Sequence, residues 1–199
     1  GSVRVAFTRH DSWVTHAAAR PDFSRVVTGD AAGVVWSWDG HNGMPYHKLT
    51  DRNSPVAALA IAPKTPVVAA AFTDGALQLW NLETGQPVAE HQLADTPYVL
   101  TYSPSGRFLA IAGRRGRILL ATANGQPIMN LEASGGDIWS LAFSPSETHI
   151  AAAGDDGHWR IFNLAPEHWL ARACAFANNL MSEPDIDSAC RQFRSPQRD

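Results

Sequence analysis

Residues 138 to 162 read Ile138-Trp-Ser-Leu-Ala-Phe143, Ser144-Pro145, His149-Ile-Ala-Ala-Ala153, Gly154-Asp-Asp-Gly157 and Trp159-Arg-Ile-Phe162. Three short apolar segments are separated by turn residues, and the first and last alternate in polarity. That is the pattern of strands in a meander. In the turn before the last strand, glycine supplies the positive φ of a tight hairpin and aspartate can bond its own backbone.

The pattern recurs through the chain. Pro21, Pro63, Pro104 and Pro145 are separated by 42, 41 and 41 residues, and Gly33, Gly75, Gly116 and Gly157 repeat the same steps. Two markers in phase over four copies define repeats at roughly 3–42, 43–84, 85–124 and 125–164, with a tail at 165–199. Thr73-Asp74-Gly75 restates the turn in repeat two. An aromatic closes the last strand at Trp38, Trp80 and Phe162, with Ala121 the exception.

The period, with Trp38-Asp39, Trp80-Asn81, Tyr102-Ser-Pro104 and Phe143-Ser-Pro145, resembles the WD-repeat family over residues 3 to 164. The resemblance implies an all-β propeller of four-stranded blades that binds protein or peptide and is not an enzyme. It also implies that each outer strand precedes the three inner strands of the next blade. Pro45–Leu49, Pro87–His91 and Pro127–Leu131 fit that role, and Val3–Phe7 supplies a fourth. Two departures stand out: the family's Gly-His survives only as Arg9-His10, and Arg115 replaces the turn aspartate in repeat three. The family's buried network of His, Ser or Thr, Asp and Trp is therefore expected to be incomplete, with packing holding the blades.

Closure stays open. Repeat four has no outer strand of its own, so the chain is a half ring completed by upstream blades or another chain, a homodimer of two four-blade halves, or a closed four-blade ring. Gly1-Ser2 reads as an expression scar, and the natural protein is expected to extend upstream.

In the tail, Trp169, Leu170, Ala173, Cys174, Ala177, Leu180 and Met181 form one helical stripe after Pro166, and Ile186, Ala189, Cys190 and Phe193 form another after Pro184. An α-helical hairpin is expected. Trp169–Cys174 and Ala177–Leu180 are similar to the tail after the last blade of bacterial STAND-type WD-repeat proteins. That likeness implies the C-terminal sensor part of a larger signalling protein.

Composition narrows the function. The chain has 45% hydrophobic and 18% charged residues, as globular domains do, and a net charge of −3 with 16 Lys and Arg. Neither nucleic acid nor membrane is the expected partner, since no apolar run is long enough to span a bilayer. Two cysteines, both in the tail, make no disulfide scaffold and fit a reducing cytoplasm. Eight histidines lack zinc spacing, and the turn aspartates lack the alternation of a Ca²⁺ loop. No metal or cofactor is expected. Gly113-Arg-Arg-Gly116 lacks the Lys-Ser/Thr of a phosphate loop, and no nucleophile and base pair up, so no catalytic residue is assigned.

A binding face can be named. Trp13 and Thr15 begin the inner strand of repeat one, and Tyr98 and Trp139 occupy the register of Thr15 in repeats three and four. By resemblance these positions ring the channel mouth, edged by Arg114 and Asp155 in the adjoining turns. Tyr and Trp suit such a face because they bury much area with few rotors.

Overall fold

The computed structural model describes residues 6–133 and 135–165. Fifteen strands are seen among them, in four antiparallel sheets that follow chain order. Sheet one holds β1 (Val14–Ala19), β2 (Val26–Asp30), β3 (Val34–Trp38) and β4 (Pro45–Asp51). Sheet two holds β5 (Val56–Ile61), β6 (Val67–Phe72), β7 (Ala76–Asn81) and β8 (Pro87–Gln92). Sheet three holds β9 (Pro97–Tyr102), β10 (Phe108–Gly113), β11 (Arg117–Thr122) and β12 (Pro127–Glu132). Sheet four holds only β13 (Ile138–Phe143), β14 (His149–Gly154) and β15 (Trp159–Asn163).

The repeated residues explain the repeated turns. Gly33, Gly75, Gly116 and Gly157 all have φ between +65 and +91°, where a side chain would strain the backbone. The Asp39 side chain accepts the N–H groups of His41 and Asn42, and the Asn81 amide oxygen does the same for Glu83 and Thr84. The Trp-Asp and Trp-Asn dipeptides thus cap the turns into the outer strands β4 and β8. The N–H of the residue after β2, β6, β10 and β14 donates to a carbonyl just before the sheet's inner strand: Ala31 to Trp13, Thr73 to Pro55, Arg114 to Thr96, Asp155 to Asp137.

Period-two alternation places the core between the sheets. Val27 and Val35 of sheet one pack with Val68, Phe72 and Trp80 of sheet two. Leu77 and Leu79 of sheet two pack with Leu100, Leu109 and Ile111 of sheet three. Ile118 and Leu120 of sheet three pack with Leu141, Ile150 and Ala152 of sheet four. Inner strand lies on inner strand, β1 on β5, β5 on β9 and β9 on β13, whereas β1 and β13 do not pack on one another in this way. The four sheets form an open row.

Two expectations need correction or limits. Residues 6 and 7 of the strand expected at Val3–Phe7 are not in a strand, and Phe7 lies against Trp38 of sheet one at 4.9 Å between ring centroids. Residues 3–5, the expected helical hairpin and both cysteines lie outside the described residues.

Candidate functional site

The inner strands β9 and β13 place Tyr98 and Trp139 side by side. Both residues follow the position where the backbone bond from the neighbouring turn anchors the strand, and their rings stack 4.5 Å apart with only 5° between planes. Trp139 is 57% exposed, so the stack presents one broad aromatic face to solvent. An isolated exposed indole is unremarkable, but two registered rings on adjacent sheets form a surface.

Arg114 and Asp155 flank that stack in the turns after β10 and β14, and both are exposed. Arg115 beside them adopts a left-handed backbone (φ +68°), its N–H donates to the Asp137 carboxylate at 3.2 Å, and its guanidinium lies 3.4 Å from Asp95. Arg117 meets the same Asp95 at 2.5 Å. The rim of sheets three and four is therefore aromatic at its centre, with both charge signs at its edge.

Not every expected site residue joins this rim. Thr15 spends its hydroxyl internally, its one proton shared between the carbonyls of Val56 at 3.1 Å and Gly29 at 3.3 Å, and the Val56 contact ties sheet one to sheet two. Trp13 is 86% exposed, but it sits on sheet one, which does not pack against sheet four. The expected six-residue face thus separates into a rim on sheets three and four and two residues on sheet one. Their spacing placed them in one register, but a shared face also requires a closed ring.

Two further features were missed. In sheet one the buried polar network is whole. The Trp38 indole N–H donates to the Thr28 hydroxyl, that hydroxyl lies 2.7 Å from His10 Nε2, and His10 Nδ1 lies 2.7 Å from the Asp30 carboxylate. Asp30 uses its other oxygen to accept the N–H groups of Ala32 and Val34. Because the indole only donates and an ionised carboxylate only accepts, a neutral His10 carrying its proton on Nδ1 satisfies the whole chain. Arg9-His10 was the available signal, and the missing glycine hid it.

Where sheet three carries Leu93, Ile111 and Gly113 at the positions of His10, Thr28 and Asp30, a cavity of about 110 Å³ remains, also bordered by Asp95, Arg117 and Asn130. That is below the roughly 300 Å³ of a small-molecule site. Along the far ends of β5, β9 and β13 runs a roomier hollow of about 490 Å³, lined by Ile61, Leu100, Thr101, Leu141 and Ala142. It is open, its lining mixes apolar side chains with Thr101 and Ser103, and it lies at the opposite ends of β9 and β13 from Tyr98 and Trp139. Among the described residues no three His, Cys, Asp or Glu side chains are grouped to hold a metal ion.

Residues 125–163 match the family model "WD domain, G-beta repeat". The chain is 27% identical over 164 residues to meiotic recombination protein rec14 of Schizosaccharomyces pombe, covering 79% of this chain and 53% of rec14. It is 29% identical over 158 residues to the U3 small nucleolar RNA-associated protein 21 homolog of the same organism, covering 73% of this chain and 17% of that protein. WD repeat-containing protein SL1-17 of Schistosoma mansoni is 24% identical over 144 residues, covering 70% of this chain and 48% of that protein. The chain thus spans about half the length of these relatives, or less. Among solved structures, the computationally designed Ika4 protein matches with a TM-score of 0.71 at 22% identity, over 83% of this chain and 99% of that one. The designed Ika8 protein also scores 0.71, at 23% identity, over 81% of this chain but 49% of its own. These matches support the WD40 repeat family and a propeller-like row of four sheets.

Proposed function

We propose that these WD-type repeats form a protein-interaction scaffold that captures a protein or peptide segment at the rim of sheets three and four. The observation that carries the reading is the Tyr98–Trp139 stack, a rigid, half-exposed aromatic surface held by two neighbouring sheets. WD-repeat relatives fit a scaffold role, and no group in the rim is arranged as nucleophile and base. Arg114 and Asp155 would select the charges flanking a bound segment.

The test is a displayed random-peptide library panned on the full chain. Clones are expected to lose at least about tenfold in affinity on Trp139→Ala or Tyr98→Ala, equivalent to about 1.4 kcal/mol. They should keep it on Ile128→Ala, an exposed position on the outer strand β12. Clones indifferent to both rim substitutions would overturn the reading.

The narrower context, a C-terminal sensor of a bacterial STAND-type signalling protein in the cytoplasm, is part of the proposal and rests on the tail residues Trp169–Leu180. A natural gene encoding further repeats of this period behind a phosphate-loop motif would support it, and one encoding neither would sink it. The exposed outer face of sheet four favours a second, structural reading, in which these blades complete a larger ring.

A further inference from the structure

Sheet four ends the row with a face built like an interior one. On the 41- and 42-residue steps, Trp159 takes the register of Val35, Leu77 and Ile118, and Ile161 that of Ser37, Leu79 and Leu120. Those six residues are at most 4% exposed. Trp159 is 71% exposed and Ile161 56%. Ala151 and Ala153 of β14, which pair with Ile161 and Trp159, extend the apolar strip.

The other end of the row shows the complementary condition. Phe7 stands 42 residues before Leu49, which reaches from the outer strand β4 into the cluster containing Trp80 of sheet two. Phe7 packs on Trp38 of sheet one in the corresponding place. Residues 6–9 thus occupy the post of an outer strand belonging to a preceding sheet, yet they pair in none of the described sheets. Beside them sheet one is hollow, with a volume of about 570 Å³ lined by Asp30, Val34, Trp36 and Lys48. Val34 has the register of Ala76, which packs toward the preceding sheet, so the hollow lies where that sheet's third strand would press.

Among the described residues, residues 6–9 pair with no sheet at one end of the row and sheet four carries no outer strand at the other. Among the described residues β15 pairs only with β14, and sheets one and four do not pack on one another through β1 and β13. The same four-sheet arrangement covers 99% of one designed chain and 49% of another, so it also fits half of a chain about twice its length.

We propose that the open face and edge of sheet four receive a second copy of this chain. Residues 6–9 of each copy add to β15 of the other, and Trp159 and Ile161 pack over the Val34 and Trp36 side of the other copy's hollow, whose polar rim at Arg9, Asp11 and Lys48 stays at the edge of the contact. Strand addition satisfies the free ladder groups of β15, and burial of the aromatic and aliphatic strip supplies the apolar driving force. The contact occurs twice about a twofold axis and closes eight sheets into a ring. The rim at Tyr98 and Trp139 is not consumed, so this proposal and the peptide-binding one fail independently.

Sedimentation equilibrium on the full chain is expected to give twice the 21.5 kDa chain mass. Trp159→Glu with Ile161→Lys should return it to one chain mass while keeping the far-ultraviolet β spectrum. Should that variant unfold, a cross-link decides independently. Ala6 has the register of Lys48, Lys48 pairs with Trp36, and Trp36 has the register of Arg160. Mixing Ala6→Cys chains with Arg160→Cys chains under mild oxidation is then expected to give a covalent pair absent from either variant alone. A single-chain mass at the highest soluble concentration would overturn the proposal. So would a single-chain mass with Trp159 shielded from acrylamide, which would mean that another part of the same chain covers the strip. A mixture yielding no pair would overturn it as well.

Discussion

Sheets one and four end the same row, and they end it differently. The outward face of sheet one is partly covered by the chain's own residues 7–10, beside the hollow at Val34 and Trp36: Phe7 lies on Trp38, and His10, Thr28, Asp30 and Trp38 form a hydrogen-bonded chain in which Thr28, Asp30 and Trp38 are at most 5% exposed. The outward face of sheet four carries Trp159 and Ile161 in solvent. One repeat period therefore supports two chemistries at one kind of surface. A polar network can seal a face with few residues, because each buried donor meets an acceptor. An apolar face needs another sheet on top of it.

The largest effect should separate interior from terminal positions of identical register. Leu77 is fully buried between sheets two and three, so Leu77→Ala is expected to cost about 3 to 4 kcal/mol in urea unfolding, the usual price of a large-to-small change in a packed core. Trp159→Ala, in the same register, should change the stability of a dilute, single-chain sample by less than about 0.5 kcal/mol. At concentrations where two chains associate, the gap between the two variants should narrow. Equal costs at all dilutions would contradict the exposed placement of Trp159.

The next effect tests the seal on sheet one. His10→Ala leaves the buried Thr28 hydroxyl proton without an acceptor and one Asp30 oxygen without its donor, which should cost about 2 kcal/mol. Arg52 holds the corresponding register at sheet two, but it pairs at the surface with Asp74 and Glu90, both at 2.9 Å. Arg52→Ala should cost under about 1 kcal/mol, as exposed ion pairs do, and less in high salt. If His10→Ala proves as mild as Arg52→Ala, the network does not hold sheet one together.

This contrast also marks how far the residues could be read. The plan of four antiparallel sheets was legible because Gly33, Gly75, Gly116 and Gly157 report backbone demands that no other residue meets cheaply. The shared register of Tyr98 and Trp139 was visible in the spacing, but the stacking of their rings comes from how sheets three and four pack. Trp13 was assigned to the same face, and its separation follows from ring closure, which depends on contacts between sheets one and four and leaves no local signature. The completeness of the His10 network was likewise hidden. Arg9 replaces the familiar glycine, but the network needs only the imidazole, the Thr28 hydroxyl, the Asp30 carboxylate and the Trp38 indole. Leu93, Ile111 and Gly113, which replace the polar residues in sheet three, are visible as residues, whereas the 110 Å³ cavity they border is a property of packing.

The smallest effect concerns how sheet three is tied to sheet four, the junction that carries the proposed rim. Glu147, in the β13–β14 turn, accepts bonds from the Ser105 N–H and hydroxyl in the β9–β10 turn, and Arg107 approaches at 3.3 Å. Burial alone would raise the Glu147 carboxyl, but the bonds from Ser105 and Ser103 together with the Arg107 guanidinium outweigh it and hold the group down to about 2. A carboxylate with a depressed folded-state value stabilises the fold above its ordinary value near 4.5 and loses that contribution as pH falls toward 2. Thermal midpoints should accordingly show Glu147→Gln below the parent chain at neutral pH, with the two curves converging between pH 4.5 and 2. A gap that persists undiminished at pH 2 would mean that the Ser105 contact does not depend on the charge. The glutamine variant would then report only altered packing at the turn, and the link between sheets three and four would rest on the apolar cluster around Ile118, Leu141 and Ile150.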